Sequence, residues 1–442
     1  MNSSQLLAAA RAINSTIYQS QSPWRSDVMA TESSLQLQSN LHTVLPCVLS
    51  FLAAAISSAG GVGVGGGSLY VPILNVVAGL SLKTSTAFST FMVTGGTLSN
   101  VLYTLLARGP GSDGQPLIDY DIAVVSQPCL LLGVSIGVAC NVMFPEWLIF
   151  PLFSAFLSFA TFKTYGNGMR RWRGETAAMR RVPEGASAGE GIEELLIGRK
   201  GRGFHWMDLV VLGTVWLFFF IIHLFIRGEG AKGVFDMQTC GVAYWLITVA
   251  QIPIAIAFTA CIVHQKRKLQ TENCQVVELA IAVKSRLDAM PVYVFSVAAL
   301  LTGVMSGLFG IGGGLLLNPV LLQTGVPPKV SASSVAFLFF PTSATTMFMV
   351  LFCASMSMVQ FIILGVDGIA GALVYATACF VGSIFGLVVI EGAMRKSGRV
   401  SLIVLLVAAV LAVSKGGIAY SGAVRVWAQY TSGQYMGFEL PC

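Results

Sequence analysis

The sequence predicts an all-α polytopic membrane protein made of two homologous halves. Three observations carry that expectation: too few charges for a water-soluble surface, long apolar segments along most of the chain, and a glycine-rich motif that occurs twice. Charged residues are 10% of the 442 and hydrophobic residues 55%, with a mean hydropathy of +0.76. A soluble protein carries roughly 25% charged residues, so a globule of this length could not cover its surface. An ordinary cytosolic enzyme, a nucleic-acid binder and a disordered chain are thereby excluded. Glycine is in excess, 47 residues against roughly 31 at average usage. The nine cysteines form no CxxC pair, and most sit inside apolar runs as small hydrophobes. The four histidines are scattered. No metal site, cofactor or catalytic set is expected.

Residues 1–41 are polar and rich in Ser and Gln, and Arg11 interrupts their short apolar stretch Leu6–Ala10. They are expected to be a disordered tail. Apolar segments follow at 44–80, 84–106, 122–143 and 147–165, then at 207–226 and 240–263, and finally at 292–328, 331–363, 370–390 and 400–420. One membrane crossing needs about 20 apolar residues, so about 10–12 membrane segments are expected. The implied organisation is a first transmembrane repeat over 42–165, a basic loop over 166–205 and an inserted helix pair over 206–263. A second loop over 264–290, a second repeat over 291–424 and a C-terminal tail over 425–442 complete the chain.

The repeat rests on two stretches, GVGVGGGSLYVPIL (Gly61–Leu74) and LFGIGGGLLLNPVL (Leu308–Leu321). Gly65, Gly66 and Gly67 align with Gly312, Gly313 and Gly314, and Pro72 aligns with Pro319. With one single-residue gap, Gly79 and Lys83 then match Gly325 and Lys329, each pair leading into a Ser/Thr-rich helix.

Charge placement sets the topology. The 166–205 loop holds Arg170, Arg171, Arg173, Arg180, Arg181, Arg199, Lys200 and Arg202; the next holds Lys266, Arg267, Lys268, Lys284 and Arg286. By the positive-inside rule both are cytoplasmic, and so is 391–399 with Arg395, Lys396 and Arg399. The chain must leave and re-enter the cytoplasmic side between 290 and 391 in an even number of passes. A hairpin of two half-helices over 292–328 satisfies that count. The repeat then makes 44–80 a hairpin too and gives the halves opposite orientations, as inverted repeats. The alternative is single broken crossings with parallel repeats.

Irregular backbone survives at membrane depth only where it is buried or lines a cavity. A half-helix starting near Ser68 or Leu315 would point its positive dipole end into such a break, a ready anion site. The other reading of the glycines is close helix packing. Hydroxyls on the following helices, Ser85, Ser89 and Thr90, then Ser331 and Ser334, could donate to an anion or bond their own backbone. Lys83 and Lys329 could attract anions to the mouth or snorkel. Asn100 is a candidate for joining helices. Asp119 and Asp121 suit a helix start, and Gln127-Pro128 a kink.

These residues resemble the TauE/SafE family of anion permeases. The likeness is carried by Gly61–Leu74 with Gly79–Thr90, and by Gly303–Leu321 with Gly325–Ser334. It is nearest the plant-type branch, whose signatures Leu117–Trp147, Tyr244–Ala255 and Tyr435–Glu439 resemble. The resemblance implies a multi-pass transporter, associated in bacteria with export of sulfite or organosulfonates. The expected partners are a small anionic substrate and the lipid bilayer, without nucleic acid. The competing expectation is a non-transporting receptor or scaffold that docks partners through the 166–205 loop.

Overall fold

The computed structural model describes residues 41–59, 66–106, 118, 120–180, 206–226, 242–274, 292–314, 316–317, 332–390, 401–432 and 437. Eleven α-helices and no strands are found among them. In chain order they are α1 (Leu41–Ala59), α2 (Gly67–Pro72), α3 (Leu82–Leu106), α4 (Tyr120–Met143), α5 (Glu146–Arg180), α6 (Trp206–Ile226), α7 (Val242–Cys274), α8 (Val292–Phe309), α9 (Ala332–Ile363), α10 (Ile369–Phe385) and α11 (Ser401–Thr431). Two wide π-type turns extend α2 over Ile73–Val77 and α10 over Gly386–Ile390.

Six of these helices are long and apolar enough to cross a membrane: α4, α5, α6, α9, α10 with its π turn, and α11. α1, α2 with its π turn, α7 and α8 contribute shorter apolar stretches. Large apolar side chains point outward on the rim, among them Val210 and Leu217 on α6, Ile256 on α7, Phe162 on α5 and Val413 on α11. Water would penalise such a surface, and a bilayer accepts it. Trp427 and Tyr430, both exposed with ring centroids 6.3 Å apart, suit the interfacial belt where amphipathic rings concentrate.

Side-chain ladders fix the helix directions. Glycines Gly133 and Gly137 of α4 abut Leu300 and Val304 of α8, and Asn141 Nδ2 donates to the Leu308 carbonyl at 2.7 Å. Rising numbers meet rising numbers, so α4 and α8 run parallel. Cys379 and Gly382 of α10 meet Ser50 and Phe51 of α1, and Gly386 meets Ala55; that pair is parallel as well. Gly95 of α3 faces Ala376 of α10, and Phe88 faces Gly371, again in parallel. Ser126 and Ser135 of α4 reach Met349 and Gln360 of α9, a fourth parallel pair.

α1, α3 and α10 therefore point one way. Lys83 at the start of α3 bonds Val142 at the end of α4, so α4, α8 and α9 point the other way. Between α1 and α3 the chain must turn back on itself, and likewise between α8 and α9. One face of the bundle carries the C-terminal ends of α3, α5 and α10 and the N-terminal ends of α4, α8, α9 and α11. Among these, the ends of α5, α8, α10 and α11 adjoin the basic stretches of the sequence.

Three helices outlast their expected ends. α5 continues to Arg180 where a loop from 166 was expected, α7 continues to Cys274, and α11 to Thr431. Beyond the apolar stretch these segments keep good helix formers such as Arg, Met, Ala, Gln and Lys and contain no proline, so nothing stops the helix where the hydrophobicity stops.

Candidate functional site

The two glycine breaks meet in the middle of the bundle. At the first, Gly66 adopts φ 73° and caps α2, its carbonyl accepting from the amides of Leu69 at 2.9 Å and Tyr70 at 3.2 Å. At the second, Gly313 adopts φ 72° and its carbonyl accepts from Leu316 and Leu317, both at 3.1 Å. The aligned glycines thus act alike: each is a left-handed residue that turns the chain and restarts a helix. Gly67 and Gly314 are the first residues of the restarted helices, and both are buried.

Gly67 lies against the second break so closely that a Cβ there would sit 2.5 Å from Ile311 Cα and 2.6 Å from the Gly310 carbonyl oxygen. Gly310 in turn abuts the Thr86 backbone of α3, and Gly312 lies against Val93 of α3 and Val350 of α9. Close packing and a central break, set out above as alternatives for the glycines, coexist at this point.

The candidate hydroxyls divide into committed and uncommitted groups. Ser89 donates to the Gly310 carbonyl at 2.7 Å, which ties α3 to the second break. Thr90 bonds back to Ala87 at 2.7 Å. Ser68 and Ser85 are fully buried and have no hydrogen-bond partner, and Ser306, in the turn of α8 before the second break, is in the same state. An unmatched buried polar atom costs about 1–3 kcal/mol, which sets these three hydroxyls apart from Ser89 and Thr90. Gly65, Lys329 and Ser331 lie outside the described residues, and Ser334 is described only as backbone of α9. Asp119 and the Asp121 side chain also lie outside them.

Lys83 is buried, 6% exposed, and its Nζ donates to the Val142 carbonyl at 3.0 Å. It serves the carbonyl end of α4, where a cation complements the helix dipole. Lys83→Met should therefore lower the unfolding midpoint in detergent by the equivalent of about 1–3 kcal/mol, the cost of a lost buried partner. An anion-attracting lysine would instead raise the apparent KM for transport and leave that midpoint in place. The turn after α2 is clamped from α11: Arg425 donates to the Gly79 and Leu80 carbonyls at 2.7 and 3.0 Å, and Ser421 donates to Asn75 Oδ1 at 2.7 Å. No sequence signal pointed to this clamp, because its partners lie at opposite ends of the chain.

Beside the first break runs a narrow polar seam lined by Ser57 and Ser58 of α1, Tyr70 of α2, Gly96, Thr97 and Asn100 of α3, Met347 of α9 and Ser383 of α10. It is too tight to admit a water molecule. Asn100 Nδ2 donates to Ser58 Oγ at 3.2 Å and to Met347 Sδ at 3.8 Å, so it does join helices as its amide suggested. Asn100 Oδ1 and Ser383 Oγ are buried without partners. Sequence reasoning missed this seam; the Ser57-Ser58 pair and the Gly95-Gly96 pair inside a hydroxyl-rich helix were its visible traces. Among the described residues no group of His, Cys, Asp and Glu is arranged to hold a metal ion.

A bundle of apolar helices, broken twice at its centre and faced outward with hydrocarbon, defines an integral multi-pass membrane protein. The chain belongs to the TauE/SafE family. It is 42% identical over 424 residues to sulfite exporter TauE/SafE family protein 2 of Arabidopsis thaliana, an alignment covering 92% of this chain and 89% of that protein. Family protein 1 of the same plant is 41% identical over 418 residues (92% and 89%), and family protein 5 is 40% identical over 434 residues (95% and 91%). No family model matches the chain, and no solved structure does.

Proposed function

We propose that this protein is a secondary transporter, operating as an exporter, of small oxyanions such as sulfite or organosulfonates. The observation that carries the reading is the contact of Gly67 with Gly310 and Ile311, which brings two helix restarts together at the bundle centre. The helical run Gly67–Val77 begins at that contact and offers it the positive end of its dipole. Buried hydroxyls without partners, Ser68, Ser85 and Ser306, surround the same region and can donate to an anion's oxygens. The names of the Arabidopsis relatives support sulfite as the first anion to try. The parallel pairs α1 with α10 and α8 with α4 support two inverted repeats, and the basic stretches support a cytoplasmic position for the face they flank.

The test is anion flux into vesicles holding the purified full chain, with sulfite, sulfate, sulfonates and carboxylates competing. Gly66→Leu and Gly313→Leu place a large side chain at positive φ in each break, and each should reduce flux at least about tenfold, the effect of roughly 1.4 kcal/mol. Unchanged flux in both variants would sink the glycine site. A wild-type protein that moves none of the four anion classes would sink the transport reading.

A further inference from the structure

We infer that the polar seam beside the first break recognises the monoprotonated, singly charged form of an oxyanion, with Asn100 Oδ1 accepting the anion's own O–H. The inference rests on the transport reading and specifies which ionic form is carried. Met347 sulfur accepts hydrogen bonds but cannot donate one. Its position 3.8 Å from Asn100 therefore assigns the amide nitrogen to that side and leaves Oδ1 as the open atom. Asn100 is 6% exposed and Oδ1 has no partner.

An acceptor without a donor repels a fully deprotonated oxygen and suits an O–H. Ser383, 1% exposed, supplies a hydroxyl whose oxygen is also unpartnered, 3.1 Å from the point where a Gly96 Cβ would stand. Tyr70 Oη stands 3.6 Å from the same point, with its own hydroxyl engaged by Cys379 and Ser57. One acceptor and one unpartnered hydroxyl match an anion that keeps one proton and offers another oxygen as acceptor. No Lys or Arg lines the seam, so desolvating any anion there is uncompensated by charge, and the cost climbs steeply with a second negative charge.

The titratable groups facing the seam are Tyr70 from α2 and, beside it, Cys379 from α10. Among the described residues α1, α3 and α9 add no acid, histidine or cation to the lining. The proton that matters is therefore the substrate's. Gly96 lets α3 approach Ser383 and Tyr70 closely, since an added Cβ would already stand 3.1 Å from Ser383 Oγ.

The experiment compares sulfite, whose second ionisation lies near neutral pH, with methanesulfonate, which keeps one charge and no proton throughout. Both are followed into vesicles holding the full chain as external pH is raised. Sulfite flux should fall in proportion to the monoanion fraction, while methanesulfonate flux stays level and lower. Sulfite flux that is flat or rises with pH overturns the inference on the wild-type protein alone. In Asn100→Leu the preference for sulfite over methanesulfonate should shrink at least about tenfold, because a buried polar group waiting for an O–H is what rejects an analogue lacking it. An unchanged preference in that variant also overturns it. If neither anion moves while sulfate or a carboxylate does, transport stands and this inference fails. If nothing moves, the transport reading fails and takes the inference with it.

Discussion

Gly67→Val should cut anion flux by about ten- to a hundredfold while the protein still inserts and purifies. The added side chain meets Ile311 Cα and the Gly310 carbonyl, both main-chain atoms that cannot rotate aside. The two breaks must move apart. Overpacking of this kind costs about 1–3 kcal/mol, and each ~1.4 kcal/mol is a factor of ten. Gly79→Ala is the matched control. Gly79 has φ 71°, yet nothing stands within 4 Å of its would-be Cβ. That variant suffers left-handed strain of about 1–2 kcal/mol without pushing the breaks apart, and its flux should stay near wild type. Equal losses in both variants would mean that general destabilisation, not contact between the breaks, lowers transport.

Gly137→Val should lower the thermal midpoint in detergent more than any surface substitution, by the equivalent of about 3 kcal/mol or more. Gly137 faces the Val304 carbonyl, the Leu308 amide 2.8 Å from the would-be Cβ, and Gly307 Cα at 3.0 Å. Gly303 and Gly307 press back on Leu130, Gly133 and Val138 in the same way. Four glycines thus bring α4 and α8 into main-chain contact, as small residues do between membrane helices. Gly386→Val should act alike on the α1–α10 contact, where Ala55 Cα lies 2.7 Å from the added carbon. The two contacts share no residue, so the double variant should show additive loss. Gly213→Ala, with open space around it, should leave the midpoint unchanged or slightly higher. A Gly137→Val midpoint equal to that of Gly213→Ala would refute the packing argument.

The fold class was legible because it is written in composition and in segment length, which are local. The breaks were legible for a similar reason: only glycine tolerates φ near +70°, so Gly66 and Gly313 announce themselves as a repeated exception. Helix ends were harder to read. The lipid boundary and the helix boundary are different things, and in α5 the helix continues past the apolar segment through Arg170, Arg171 and Arg173 to Arg180. The site was read only in part. Ser89 was open to a ligand or its own backbone and donates instead to the Gly310 carbonyl across the bundle, while Lys83 was open to attracting anions or snorkelling and lies buried against Val142. Whether a hydroxyl or an ammonium is occupied depends on what lies across the bundle. A stretch such as TGGTLSN carries no mark of its partners on α1, α9 and α10.

The glycine contacts also decide what can move. Two sets of them join a helix from one half of the sequence to a helix from the other: α8 to α4, and α10 to α1. The halves cannot rock past one another as wholes without tearing main chain from main chain. A motion that preserved these contacts would carry α1 together with α10 as one body and α4 together with α8 as another. The contacts such a motion would have to part are those of Gly67 with Ile311 and of Gly310 with Thr86. The mechanical parts of this protein cut across its two halves.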